Sequence, residues 1–362
     1  MCFHGFMNKK NTIWVILAVI LVILIMRGVS SNSESATIKI GAILPLTGAN
    51  AQVGEGLRDA LNFALQEYKG DSKFELIFED CALDPKTAVT AATKLINIDK
   101  VQVMVDAYAP IGNAVSPLAE KAKIPHLSIA FDPNIAKGDY NFMHFTPPSS
   151  VSELFISELE KKGISSVAVL RINNQGIQSV FDEFKGQVAS TSIRIVADEI
   201  FPPGERDLRS RITNMKQSKP QLYVLLSIPP ELEIAMEQLK SLAINNVSTM
   251  VYFELSPKRE LFNDLWFVGT QLPAAGFVER YESFYKKPIT FAVPNMYDIF
   301  NLIAYAADHS NTKGSEGIKD ELLKIKNFDG ALGNLTVDSQ GIVISGAQLK
   351  IIRSGKIEVL SN

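Results

Sequence analysis

The stretch from Ile38 to Tyr68, IKIGAILPLTGANAQVGEGLRDALNFALQEY, constrains the fold more than any other in the chain. Ile38, Ile40, Ala42 and Leu44 mark an apolar run of strand length, and Pro45 ends it. A loop with Gly48, Asn50, Gly54 and Gly56 follows. Leu57, Leu61, Ala64, Leu65 and Tyr68 then recur at helical spacing, with Arg58, Asp59, Gln66 and Glu67 on other faces. A strand, a glycine-bearing loop and a helix make the first unit of a parallel α/β sheet. Ligands of such sheets sit outside the carboxyl ends of the strands, so this loop is expected to line a site.

The same rhythm continues. Strands are expected at 74–79, 101–107 and 126–130, with helices at 84–95 and 112–123 between them. Residues 140–146 are extended and run into Pro147-Pro148, where consecutive prolines stop elements on both sides and mark a first crossing between lobes. A fresh series follows, with strands at 166–171, 193–200, 221–226 and 251–253. Residues 265–273 read as the return crossing. Helices at 276–286 and 291–308 are expected to pack back on the first lobe, and the turn signals after Gly330 suit a third crossing. The expected division is 37–146 with 271–331 for lobe 1, and 147–270 with 332–362 for lobe 2. A length of 362 residues suits two such cores.

The first 36 residues stand apart. Lys9 and Lys10 precede an almost wholly apolar run from Ile13 to Met26, and small polar residues follow. That is the order of a secretory signal, and the apolar core is short for a membrane span. Residues 1–36 are therefore read as a signal peptide or an N-terminal membrane anchor, with the body facing outward in either case. Only Cys2 and Cys81 are present, so a chain cut after the apolar run has no intrachain disulfide. A net charge of −3 without a basic stripe argues against nucleic acid as a partner. Four scattered histidines and one mature cysteine do not make a zinc site, and no cofactor motif occurs: Gly54 and Gly56 lack the third glycine of a dinucleotide fingerprint.

The opening strand, the P-L-T-G turn, A-Q-V-G before the helix, and E-D-C-A-L-D-P-K from Glu79 to Lys86 resemble the type I periplasmic solute-binding proteins of the branched-chain amino acid kind, the receptors of ABC importers. The resemblance runs from Ile38 to the C-terminus. It implies an α/β fold of two doubly wound, Rossmann-like lobes joined by three hinge crossings, a monomer that captures a small molecule by hinged closure, and an ABC permease as partner. It implies no enzyme, no cofactor and no metal, and a periplasmic or extracellular location. In amino-acid-binding relatives a serine and a threonine hold the ligand; those positions fall here on Ala109 and Asp132. Two second-lobe tyrosines fall on Gly176 and on or beside Pro229, and a glutamate falls on Glu254.

The candidate site residues are therefore those at strand ends: Gln52, Val53, Tyr108, Ala109, Pro110, Ala130, Phe131, Asp132, Asn174, Gly176, Pro229 and Glu254. Ala109 offers no hydroxyl to a carboxylate, and Asp132 would repel one. Asp132 with Glu254 instead suits an amine, so the expected solute is a small amine-bearing molecule, an amino acid or a relative. Asp132 precedes Pro133-Asn134 and equally reads as the cap of a turn or helix. Glu254 equally reads as a surface residue at a strand end, and Tyr108 and Phe131 as core-edge aromatics. His126, His144 and His309 have no metal or triad spacing and read as structural. The alternative function is a ligand-sensing or regulatory binding protein that acts on a membrane or cell-wall partner without an importer.

Overall fold

The computed structural model describes residues 37–250, 253, 256–290 and 292–360. The N-terminal segment 1–36 lies outside these, as does Glu254. The first series comprises β1 (Ile38–Leu44), α1 (Ala51–Glu67), β2 (Phe74–Asp80), α2 (Pro85–Lys94), β3 (Val103–Ala107), α3 (Ala109–Ala122), β4 (His126–Ile129) and β5 (Asn141–His144). The second comprises α4 (Pro148–Lys161), β6 (Ser166–Ile172), α5 (Gln175–Val188), β7 (Arg194–Phe201), α6 (Arg209–Gln217), β8 (Leu222–Leu226), α7 (Glu231–Ser241), β9 (Val247–Ser248) and β10 (Trp266–Thr270). The chain returns through α8 (Ala275–Tyr285), α9 (Val293–His309), α10 (Ser315–Leu322), β11 (Phe328–Gly330), β12 (Gly333–Val337) and β13 (Ile342–Ile344). It ends in β14 (Ala347–Arg353) and β15 (Lys356–Val359).

The elements form an eight-stranded sheet in the order β11-β12-β13-β5-β4-β3-β1-β2, a four-stranded sheet β7-β6-β8-β9, and a three-stranded sheet β10-β14-β15. β1 lies inside the first sheet, with Ile40 opposite Leu76 on one side and Val103 on the other. Residues Ile40 to Leu44 are all buried, as expected of a parallel strand covered on both faces by helices. The returning helices dock through aromatic packing: Phe63 of α1 meets Tyr281 of α8 edge-on, with ring centres 5.5 Å apart, and Tyr297 of α9 at 5.9 Å. The three-stranded sheet covers the second lobe, where Trp266 stacks on Phe155 of α4 at 5.2 Å.

Two boundaries differ from the sequence reading. Residues 332–344 do not go with the second lobe, because β12 pairs with β13 and β13 pairs in parallel with β5, Ile342 opposite Met143. The turn signal at Asp338–Gly341 is a hairpin, closed by Asp338 Oδ1 accepting from the Gln340 and Ile342 amides, rather than a change of lobe. The third crossing thus falls at Ser345-Gly346. The strand expected at 251–253 is not seen at its one described residue: Phe253 is buried in a 3₁₀ turn, β9 precedes it at Val247–Ser248, and Val251 and Tyr252 lie outside the described residues.

The three crossings are bonded to one another. Thr146 Oγ1 lies 3.2 Å from Ser345 Oγ and donates to the Gly346 carbonyl, which also accepts from the Gln271 amide at 2.9 Å.

Candidate ligand-binding site

The parallel strands of each large sheet reverse their order once. In the first lobe the reversal lies between β1 and β3, and in the second between β6 and β8. Chain leaving neighbouring strands at such a point turns to opposite faces and leaves a crevice beyond the strand ends. The loops there lead into α1, α3, α5 and α7. The N-terminal ends of all four helices border one cavity of about 740 Å³ between the lobes, through Gln52 and Val53, Tyr108 to Pro110, Asn174 and Gly176, and Ile228 and Pro229. Ala130 and Phe131, at the end of β4, also line it.

Local chemistry fixes these loops. The Asp80 carboxylate accepts from the amides of Leu46 (2.8 Å), Thr47 and Ala82 (2.9 Å) and from the Thr47 hydroxyl, which ties the ends of β1 and β2 together. Asp84 caps α2 by accepting from the Thr87 amide at 2.8 Å, so the acids of the E-D-C-A-L-D-P-K motif build the loop's support rather than the site. At Gly54 an added Cβ would lie 2.1 Å from the Pro45 carbonyl, so glycine lets α1 start directly against the end of β1. Tyr108 carries the turn into α3 with φ at 77°, a conformation that costs a non-glycine residue energy and that clusters at functional sites. Burial pushes its phenol up to about 12, with a smaller contribution from neighbouring Cys81, so the hydroxyl stays protonated and is able both to donate and to accept. Asn174 Oδ1 caps α5 by accepting from the Gly176 and Ile177 amides at 3.0 and 3.3 Å.

Asp132 does not join them. It is 1% exposed, and its carboxylate is committed within the protein. Oδ1 accepts from the Asn134 amide and side chain, and Oδ2 accepts from Asn113 Nδ2 at 2.8 Å and Gln175 Nε2 at 3.0 Å. The cap reading of Asp132 is the one the geometry bears out, and the carboxylate has no unused oxygen to offer an amine. Its bond to Gln175 crosses from the first lobe to the first residue of α5 in the second, so the lobe tips touch in this conformation.

The cavity also holds residues that strand-end reasoning misses. Arg259 and Glu260 belong to a single 3₁₀ turn after β9, and Phe145, Ile289 and Thr290 come from the first crossing and the stretch before α9. Glu260 is exposed to the cleft and forms no ion pair among the described residues. Three adjacent charges, Lys258 to Glu260, following Ser256-Pro257 were the only sequence sign of this turn. Toward the crossings the cleft adjoins a second compartment of about 360 Å³, which shares Phe131, Phe145, Arg259 and Ile289 with it and is lined further by Leu272, Asn295 and Lys350. Asn295 is 3% exposed, and its Nδ2 has no hydrogen-bond partner among the described residues.

The other polar clusters are structural. His126 lies between Asp106 Oδ2 (2.8 Å) and Asn141 Oδ1 (3.0 Å) in the first lobe's core. Cys81 is fully buried, and desolvation pushes its thiol up to about 11. Among the described residues no group of three or more His, Cys, Asp or Glu is placed to hold a metal ion.

Comparison with known proteins agrees with this architecture. A family model described as periplasmic binding protein matches residues 37–345. The leucine-, isoleucine-, valine-, threonine- and alanine-binding protein of Pseudomonas aeruginosa is 24% identical over 352 residues, covering 87% of this chain and 89% of the relative. The branched-chain amino acid transporter substrate-binding protein LivJ of Streptococcus pneumoniae, solved with isoleucine, superimposes with a TM-score of 0.78 at 24% identity, over 90% of this chain and all (100%) of that one. A solute-binding protein of Rhodopseudomonas palustris BisB5, solved with 3,4-dihydroxybenzoic acid, gives 0.77 at 20% identity, over 90% and 96%. With a family match spanning both lobes and a cleft at both switch points, the chain belongs to the periplasmic binding protein family.

Proposed function

We propose that this chain is the extracytoplasmic, monomeric receptor of an ABC importer and that it closes its lobes over a small amine-bearing solute, an amino acid or a close relative. One observation carries the reading: four helix N-termini converge on a single cavity between two hinged lobes. The positive ends of the helices favour an anionic group such as a carboxylate. Glu260 is the acceptor we assign to the ammonium end, in place of Asp132. Apolar walls at Val53, Phe131, Ile228 and Ile289 suit a hydrocarbon side chain. The amino acids named for the relatives support the same class. The N-terminal segment then serves as export signal or as a tether that keeps the receptor beside its permease.

A thermal-shift panel on the full-length chain tests this, with amino acids, simple amines, carboxylic acids, sugars and nucleosides. A true ligand at 100 times its Kd adds about 2.7 kcal/mol to stability. The expected hit carries both amine and carboxylate, and Glu260→Gln weakens it about tenfold or more by removing a charge-assisted bond. A panel in which only acids without an amine bind, or in which nothing binds, overturns the reading.

A further inference from the structure

We propose that the cleft and the compartment at the crossings form one elongated site, built for a solute the size of a di- or tripeptide rather than for a single branched-chain amino acid. This rests on the function proposed above and names its substrate class. The lobes are not held apart in this structure, since Gln175 donates to Asp132 across the cleft at 3.0 Å. A Cβ added at Gly176 would come within 3.8 Å of Phe131 Cβ on the opposite lobe. With the tips already in contact, about 740 Å³ remains in the cleft and about 360 Å³ beyond it. Pockets of roughly 300–1,000 Å³ hold drug-sized molecules, and a free leucine would leave most of this space unfilled. An apolar space left without contacts forfeits dispersion energy, so a well-matched solute is one that fills it.

The two compartments also differ in chemistry. Helix N-termini and the Glu260 carboxylate border the cleft. In the compartment at the crossings, Asn295 is almost wholly buried and its Nδ2 lacks a partner among the described residues. An unpaired buried amide is destabilising until an acceptor reaches the side chain. The far end of the solute is therefore an acceptor such as a peptide carbonyl, joined to the charged groups in the cleft by an apolar body that runs past Phe131 and Phe145.

Titration calorimetry on the full-length chain, with leucine and with di- and tripeptides of leucine and phenylalanine, tests the assignment. The peptides are expected to bind at least tenfold tighter than leucine. Gly176→Leu, which fills the cleft from the second lobe where an added Cβ meets only ordinary contacts, should lower the peptide-to-leucine affinity ratio at least tenfold. Leu272→Trp, which fills the compartment at the crossings, should do the same, and melting curves of both variants verify that they fold. Leucine binding tighter than every peptide, or a ratio unmoved in both folded variants, overturns the elongated site and leaves the amino-acid receptor standing. Binding of neither leucine nor peptides overturns both.

Discussion

Asp132 shows how a residue found at the right place in the sequence can hold another job. Its two oxygens receive four hydrogen bonds, two from Asn134, one from Asn113 and one from Gln175. Asp132→Asn replaces one acceptor oxygen with a donor that faces donors, and a buried polar group left unsatisfied costs about 1–3 kcal/mol. Urea unfolding should therefore show a loss of that size, while Gln175→Ala, which removes a single bond from an exposed residue, should cost no more than about 1 kcal/mol. Equal losses in the two variants would argue that the lobe-to-lobe bond, not the cap, is what Asp132 provides. Most other candidate residues were legible because strand ends at a switch point must face the crevice whatever their chemistry. Gly176 and Pro229 carry no polar side chain, and both line it. Glu260 was not legible, because it reaches the cleft from a short turn whose position depends on how β9, β10 and the three-stranded sheet pack.

At the scale of elements, strands β3, β4 and β5 are joined by a polar chain through the core as well as by their backbone ladders. Asn141 Nδ2 donates to Glu120 Oε2 and to the Lys137 carbonyl, which turns its Oδ1 toward His126 Nδ1 at 3.0 Å. His126 Nε2 lies 2.8 Å from Asp106 Oδ2, so both ring nitrogens face acceptors and both carry protons. Burial by itself would push this imidazole down; the Asp106 charge and the bonds to Asp106 and Asn141 outweigh it and hold the group above its usual value of 6.5. The folded state thus binds a proton that the unfolded chain releases near pH 6.5. This stabilisation is complete below that pH and is lost as pH rises through the elevated folded value. The urea midpoint should fall between pH 6 and pH 9, and His126→Ala should flatten that fall while costing roughly 3–5 kcal/mol at pH 6. An unchanged pH slope in the variant would place the proton elsewhere. The sequence had marked His126 as structural, but its partners are brought together only by strand register, which spacing does not reveal. Strand–helix alternation was legible because buried parallel strands and amphipathic helices have different periods. The place of β13 was not, because a short apolar strand after a turn suits either sheet equally well.

For the whole molecule, the three crossings mean that neither lobe is a continuous piece of chain. The second lobe depends on β14 and β15 to cover β10. Trp266 to Thr270 pair with Ile351 to Ala347, the Asp264 amide donates to the Ile352 carbonyl at 2.8 Å, and Leu349 and Ile352 are buried. The first lobe's eight strands include none of this segment. Ending the chain after Gly346 would expose one edge of β10 and remove two buried apolar side chains, each worth roughly 1.5–3 kcal/mol. It would keep the Gln271–Gly346 bond that ties the crossings together, but lose the bond from the Leu272 amide to Gln348 Oε1. Domains open in cooperative units, so the damage should stay in the lobe that lost its cover. Hydrogen exchange of the truncated chain is expected to show lost protection in β10 and α4, with β1, β3 and β4 protected as before. A uniform loss across both lobes would mean that the lobes fold as one unit through their crossings, and that the hinge is stiffer than a capture mechanism requires. Selective loss would show that each lobe keeps its own core, which is the condition for two rigid bodies to close over a solute without unfolding either.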